Sequence, residues 1–218
     1  GMLEVVEAIR RRQSVQGPFQ MLGNISPGYG GSGQDVLGWV LCDAPTVAYS
    51  LVCFGLGAEP AVQRAVDHLA GLVRENGWPC AGSPELGKWR APGKKEDPCP
   101  YANLIMLKLL SAVPEYRNSA AAQAGAEMAL RLWEHSREQH PYIFYMGSDF
   151  RKLKAPLVWY DILHVCEVLS RFEWLRGDPR LGEMADIIRS KADLLVRFTP
   201  ESIYKAWDAW DFGQKKVP

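Results

Sequence analysis

The sequence predicts an all-α fold of about three helical hairpins behind an N-terminal helix, and three observations carry that prediction. Pro45, Pro100 and Pro156 stand 55 and 56 residues apart, and each opens a nearly continuous apolar run long enough for a buried helix. Proline at the first helical position surrenders no needed hydrogen bond and already has a φ suited to a helix. Each run is followed by a second segment that is apolar on one face, and Gly, Pro and Trp punctuate the connections between hairpins. A repeat of this kind implies stacked or ring-closed units. Inner helices apolar all round and amphipathic outer helices together describe an α/α barrel, or an arc of one.

In chain order, residues 2–13 set Leu3, Val5, Val6 and Ile9 against charges, the pattern of an amphipathic helix. It reads as the outer half of a repeat whose inner half is absent. Residues 17–44 form a Gly- and Pro-rich connection, with seven glycines between 17 and 38, expected to lack regular structure. So long a loop is usually functional or packed over an open end of the core. The first hairpin, 45–76, pairs an inner helix over 45–56 with an outer helix over 60–75 carrying Val62, Ala65, Val66, Leu69, Leu72 and Val73 on one face. Gly77-Trp78-Pro79-Cys80 then opens a loop that continues to Pro98. The second hairpin pairs 100–112 with 118–136, the outer member being rich in alanine, the best helix former. The third pairs 156–171 with 179–197, with Gly177-Asp178-Pro179 as its start signal, and 198–218 is a tail. The whole of 1–218 reads as one domain.

Composition excludes several function classes. Lys plus Arg and Asp plus Glu number 25 each, so no net field recruits nucleic acid or an anionic membrane. The longest apolar runs, near 46–58 and 155–169, fall short of the about 20 residues that a membrane span needs. Gly1-Met2 ahead of a charged helix is not expected to open a signal peptide. Five cysteines, an odd number without a secretion signal, suggest free thiols and a reducing, cytoplasmic compartment.

The order of helix hairpin, Gly77-Trp78-Pro79 after the outer helix, then Asp97-Pro98-Cys99-Pro100-Tyr101 entering the next inner helix resembles the prenyltransferase and squalene-cyclase repeat of the terpenoid cyclase superfamily, over roughly residues 38–212. The resemblance implies an α/α toroid. Three hairpins and a lone helix are fewer than the six of a full toroid, which implies a small or open ring, or one closed by a homo-oligomer or a partner protein. The family's Asp-x-Asp-Asp proton donor has no counterpart here; Glu96-Asp97, the nearest acidic pair, precedes a helix N-terminus, where a carboxylate is favoured anyway. The zinc-dependent members use an Asp-x-Cys at the start of an inner helix plus a histidine on a later one. Asp97 and Cys99 stand in that place as candidate metal ligands, and zinc is the only cofactor implied. His164 would lie about 12 Å along its helix axis from Pro156, so Cys80 is the alternative third ligand. The plain alternative is that Asp97 caps a helix and Cys99 is a buried small residue.

On a helical wheel Tyr160, His164, Glu167 and Arg171 share a stripe flanked by Asp161, and the repeat offset sets Tyr49 and Cys53, and Lys108 and Ser111, on the corresponding stripes. Facing a lumen, these stripes would line a cavity with Tyr49, Lys108, Tyr160 and His164; facing outward, they would be a solvated surface. Tyr160, Asp161 and His164 are the candidate catalytic residues, with Trp159 and Tyr101 as aromatic wall. Arg151, Lys152 and Lys154, beside a helix N-terminus, would receive an anionic head group, as would Lys88, Arg90, Lys94 and Lys95 one repeat earlier. Both loops also suit an ordinary basic surface. The expected function is a prenyltransferase- or terpene-cyclase-like protein binding a largely apolar, isoprenoid-type small molecule. The alternatives are a non-catalytic toroid serving as a binding or assembly module, and a carbohydrate-active α/α barrel, hydrolase or lyase.

Overall fold

Seven α-helices run through the described residues, accompanied by two small two-stranded sheets. A computed structural model describes residues 1–87, 93–156 and 158–207. The chain is therefore mostly α, and the two sheets correct the all-α expectation in detail. It divides into two compact units, Gly1–Met128 with Pro141–Ile143, and Ala129–His140 with Phe144–Pro218.

The first unit opens with α1 (Met2–Arg10), whose Arg10 Nε donates to Glu59 Oε2 at 3.2 Å. The connection expected to be irregular instead holds β1 (Met21–Asn24) and β2 (Asp35–Gly38), antiparallel, with Met21 opposite Gly38 and Asn24 opposite Asp35. The glycines misled because most of them sit in the turn rather than in the strands, and Gly30 and Gly33 both take positive φ there. The strands themselves carry Met21, Leu22, Val36 and Leu37.

Next come α2 (Ala44–Leu51), a π-turn over Val52–Leu56, α3 (Pro60–Gly71), α4 (Pro100–Ala112) and α5 (Ala120–Glu134), whose residues from Ala129 on are counted with the second unit. Pro45 and Pro100 lie at their helix N-termini as the sequence predicts. The two inner helices α2 and α4 pack on one another, and α3 packs on both.

What ties one hairpin to the next in this unit is Trp78. Its side chain is fully buried, and its indole Nε1 donates to Leu69 O at 2.9 Å. Asn103 of α4 bonds the Trp78 backbone twice: Oδ1 accepts from Trp78 N at 2.9 Å, and Nδ2 donates to Trp78 O at 2.8 Å. The same Nδ2 also donates to Cys99 O at 2.7 Å. So the buried turn leaves no backbone group of Trp78 unpaired, which would be costly in the core. Two neighbours must be glycine. Gly77 has φ +99, and a Cβ there would lie 2.4 Å from Asn103 Oδ1; a Cβ on Gly125 would lie 2.5 Å from the Trp78 ring.

In the second unit α6 (Ile162–Ser170) packs against α7 (Pro179–Arg189), and β3 (Lys154–Ala155) pairs in parallel with β4 (Ser202–Ile203). Here the repeat logic fails. The third inner helix does not start at Pro156, which follows a cis peptide bond just after β3. Its cap is Asp161, whose side chain accepts from His164 N at 2.8 Å. The outer helix also ends early, because Asp193 Oδ1 accepts from both Leu195 N and Arg197 N and folds the chain into a turn. The described part of the tail contributes β4 and one helical turn, Lys205–Trp207.

Candidate ligand site

The candidate catalytic residues Tyr160, Asp161 and His164 fall together in the second unit, but not as one helical stripe. Tyr160 and Asp161 precede α6, so only His164, Glu167 and Arg171 follow the helix surface. Asp161 is fully buried; Oδ1 is the cap, and Oδ2 has no hydrogen-bond partner among the described residues. Burial pushes its carboxyl up to about 6, opposed by the His164 N–H that it accepts and by Lys154. His164 is buried, and its Nδ1 lies 2.8 Å from Trp159 O. A carbonyl can only accept, so Nδ1 carries the proton and donates. Both side chains thus hold the bend that leads into α6. Tyr160 is buried between Phe144 and Phe150, with ring centroids at 5.8 and 5.3 Å. Glu167 and Arg171 pair with each other, Nε to Oε1 at 2.7 Å.

The basic loop is built from internal partnerships. Arg151 lies 4.8 Å over the Trp133 ring, and Lys152 donates to Asp149 at 3.2 Å. Lys154 donates to Asp149 Oδ2 at 2.5 Å and lies 5.9 Å over Trp159, itself packed on Tyr204. These two lysines hold the Asp149 carboxyl below its usual range. Beside them is a cavity of about 210 Å³ lined by Leu153, Lys154, Leu163, Ile188, Phe198 and Pro200. Its wall is mostly apolar, with Thr199 as a polar neighbour and Lys154, whose side chain is 12% exposed, as its one cation.

The other predicted residues belong to the first unit. Tyr49 and Lys108 meet across α2 and α4, with Nζ 5.5 Å from the ring centroid. Tyr101 is half-buried in the first turn of α4, and burial, with Asp43 and Cys42 nearby, raises its phenol. Asp97 Oδ2 accepts from Lys94 N at 3.4 Å, and Cys99 N donates to Trp78 O at 2.8 Å. Burial pushes the Cys99 thiol up to about 11. Among the described residues no three His, Cys, Asp or Glu side chains are arranged as ligands of one ion. Lys88 and Arg90 lie outside the described residues.

No family model, curated protein or solved structure matches this chain. The chemistry of the site therefore rests on the residues themselves.

The first unit also has a larger cleft that the sequence did not flag. It has about 610 Å³, with Gln63, Val66, Asp67, Val113, Glu115 and Tyr116 among its lining residues. Tyr116 OH donates to Asp67 Oδ1 at 2.7 Å, and burial together with that bond pushes the phenol up to about 12. Two carboxylates would repel an anionic head group, so this cleft and the Lys154 cavity suit different ligands. No helix among the described residues is long and apolar enough to cross a membrane.

Proposed function

We propose that the chain is a helical-hairpin protein of the prenyltransferase and squalene-cyclase kind, in which the second unit binds a short apolar chain, isoprenoid in type, that ends in an anion. The observation that carries the reading is the apolar cavity with Lys154 as its one cation. An ammonium has three donors, and Asp149 engages it from one side, so an anion can share it while the chain fills the apolar wall. Asp161 and His164 then act as positioning residues for the start of α6, on the strength of their hydrogen bonds.

A thermal-shift series tests this. Geranyl diphosphate is expected to raise the melting temperature of the wild type, by the equivalent of about 2.7 kcal/mol at a hundredfold excess over Kd. Lys154→Ala is expected to weaken binding about tenfold, equal to about 1.4 kcal/mol. His164→Ala is expected to lower stability by about 1–3 kcal/mol, because it orphans Trp159 O, while leaving the ligand-induced shift in place. Stabilisation by acidic sugars but not by geranyl diphosphate, or an unchanged affinity in Lys154→Ala, would contradict the proposal.

A second reading, a non-catalytic assembly module, is favoured by the turn after α7. Leu194, Leu195 and Val196 are 102%, 71% and 75% exposed, three consecutive large apolar side chains in solvent. Concentration-dependent self-association that Leu195→Asp abolishes, with no ligand shift, would select it.

A further inference from the structure

The cleft of the first unit lies where three parts of the chain meet: Val52 of the π-turn, Gln63, Val66 and Asp67 of α3, and the segment that leaves α4 at Val113. A residue before proline is pushed out of the helical region, and Val113 is accordingly extended, with φ −107 and ψ 108, ahead of Pro114. Pro114 then opens a single helical turn, Pro114–Tyr116. That turn brings the Tyr116 hydroxyl to α3, where it donates to Asp67 Oδ1 at 2.7 Å. Asp67 follows Gln63 by one helical turn and so shares its face of α3.

The lining has two characters. Val52, Val66 and Val113 give it an apolar wall, Asp67 and Glu115 bring two carboxylates, and no Lys, Arg or His is among the described residues that line it. No ion pair among the described residues engages either carboxylate. Arg117, the next cation along the chain, is held at the end of α4, its Nε donating to Ser111 O at 2.7 Å. Tyr116 has one proton to donate, and it goes to Asp67, which leaves the phenol oxygen as an acceptor. Burial, the bond to Asp67 and the charges of Asp67 and Glu115 raise that phenol to about 12, so the proton stays on the tyrosine. A volume of about 610 Å³ is that of a small-molecule site rather than of a bare ion.

We propose that this cleft binds a primary ammonium carried on a short apolar body. The three N–H groups of the ammonium match three acceptors, Asp67 Oδ2, the Tyr116 oxygen and the Glu115 carboxylate, while the apolar body lies along Val52, Val66 and Val113. The site is independent of the anion-receiving cavity of the second unit, because its two carboxylates select the opposite charge. A quaternary ammonium lacks the N–H donors and an alcohol lacks the charge, so neither satisfies all three acceptors.

A methyl-detected NMR titration of the full chain with 2-phenylethylammonium chloride at neutral pH tests the assignment. Saturable shifts are expected for the methyl groups of Val52, Val66 and Val113. 2-Phenylethanol and the N-trimethylated amine should each bind at least about fivefold more weakly, and 3-phenylpropionate should leave these signals unmoved. Asp67→Asn keeps an acceptor for Tyr116 and is expected to weaken binding of the amine about fivefold, a modest factor because the carboxylate is exposed. Adding Glu115→Gln should bring the loss above about tenfold. Both positions are exposed, so the melting temperatures of the variants should match that of the wild type, and the ligand series needs the wild type alone. Equal binding of the alcohol or the trimethylated amine, an unchanged affinity in the double variant, or no saturable shift at these valines would overturn the proposal.

Discussion

Replacing Trp78 by alanine is expected to lower the unfolding free energy by about 3–5 kcal/mol, the cost of emptying a fully buried aromatic site. The size of the effect follows from how little the site can collapse. The indole ring presses on Gly125, and the Trp78 backbone is clamped by Asn103, so neighbours cannot move in without breaking those bonds. Leu69 O would also lose its buried donor. Trp78→Phe separates the two effects, since it keeps most of the packing and removes only the Nε1 donor. It should cost about 1–3 kcal/mol. Urea denaturation of the three proteins measures both, and a loss under about 1 kcal/mol in the alanine variant would mean that the turn is not what joins the hairpins.

Asp161→Asn is expected to stabilise the chain at neutral pH and to flatten its stability across the acid range. With the folded-state pKa raised from an ordinary carboxylate value to about 6, the folded chain holds a proton that the unfolded chain has released. The associated stability is fully present below the unfolded pKa near 4 and is lost as pH rises through about 6. Above that window the buried charge costs about 3 kcal/mol at 1.36 kcal/mol per pKa unit, an upper figure. Asparagine remains a good N-cap for the His164 N–H and carries no charge. Chemical denaturation at a series of pH values from about 4 to 8 should show wild-type stability falling as pH rises and the variant nearly level. A wild type gaining stability over that range would reverse the sign and refute the account of Asp161.

The two hairpins of the first unit are legible in the sequence because local signals agree there. Pro45 and Pro100 sit at helix starts, the apolar runs have helical length, and glycine or proline breaks each connection. Pro156 carried the same local signal but lost to its surroundings: Lys154–Ala155 pairs with Ser202–Ile203, far along the chain, and Asp161 offers a better cap. Asp161 just before an apolar run was itself a start signal, and weighting it above the repeat would have placed α6 correctly. Placing Tyr160 on that helix followed from the same error. The role of Asn103 was not legible at all, since an asparagine inside an apolar helix shows no partner until the fold brings Trp78 to it. Lys154 was legible as a cation, but the helix start expected beside it was not there, since Lys154 lies in β3 and α6 begins at Ile162. Its cavity was not legible, because Ile188, Phe198 and Pro200 lie 34 to 46 residues further on.

A methyl-detected NMR titration of the full chain with geranyl diphosphate tests the central claim most directly, since it reports where a ligand sits as well as whether it binds. Saturable shifts are predicted for the methyl groups of Leu153, Leu163 and Ile188, and Leu163→Trp, which fills the cavity, should remove them. Shifts confined to Val52, Val66 and Val113 around the carboxylate-lined cleft, or no saturable shift at all, would contradict it.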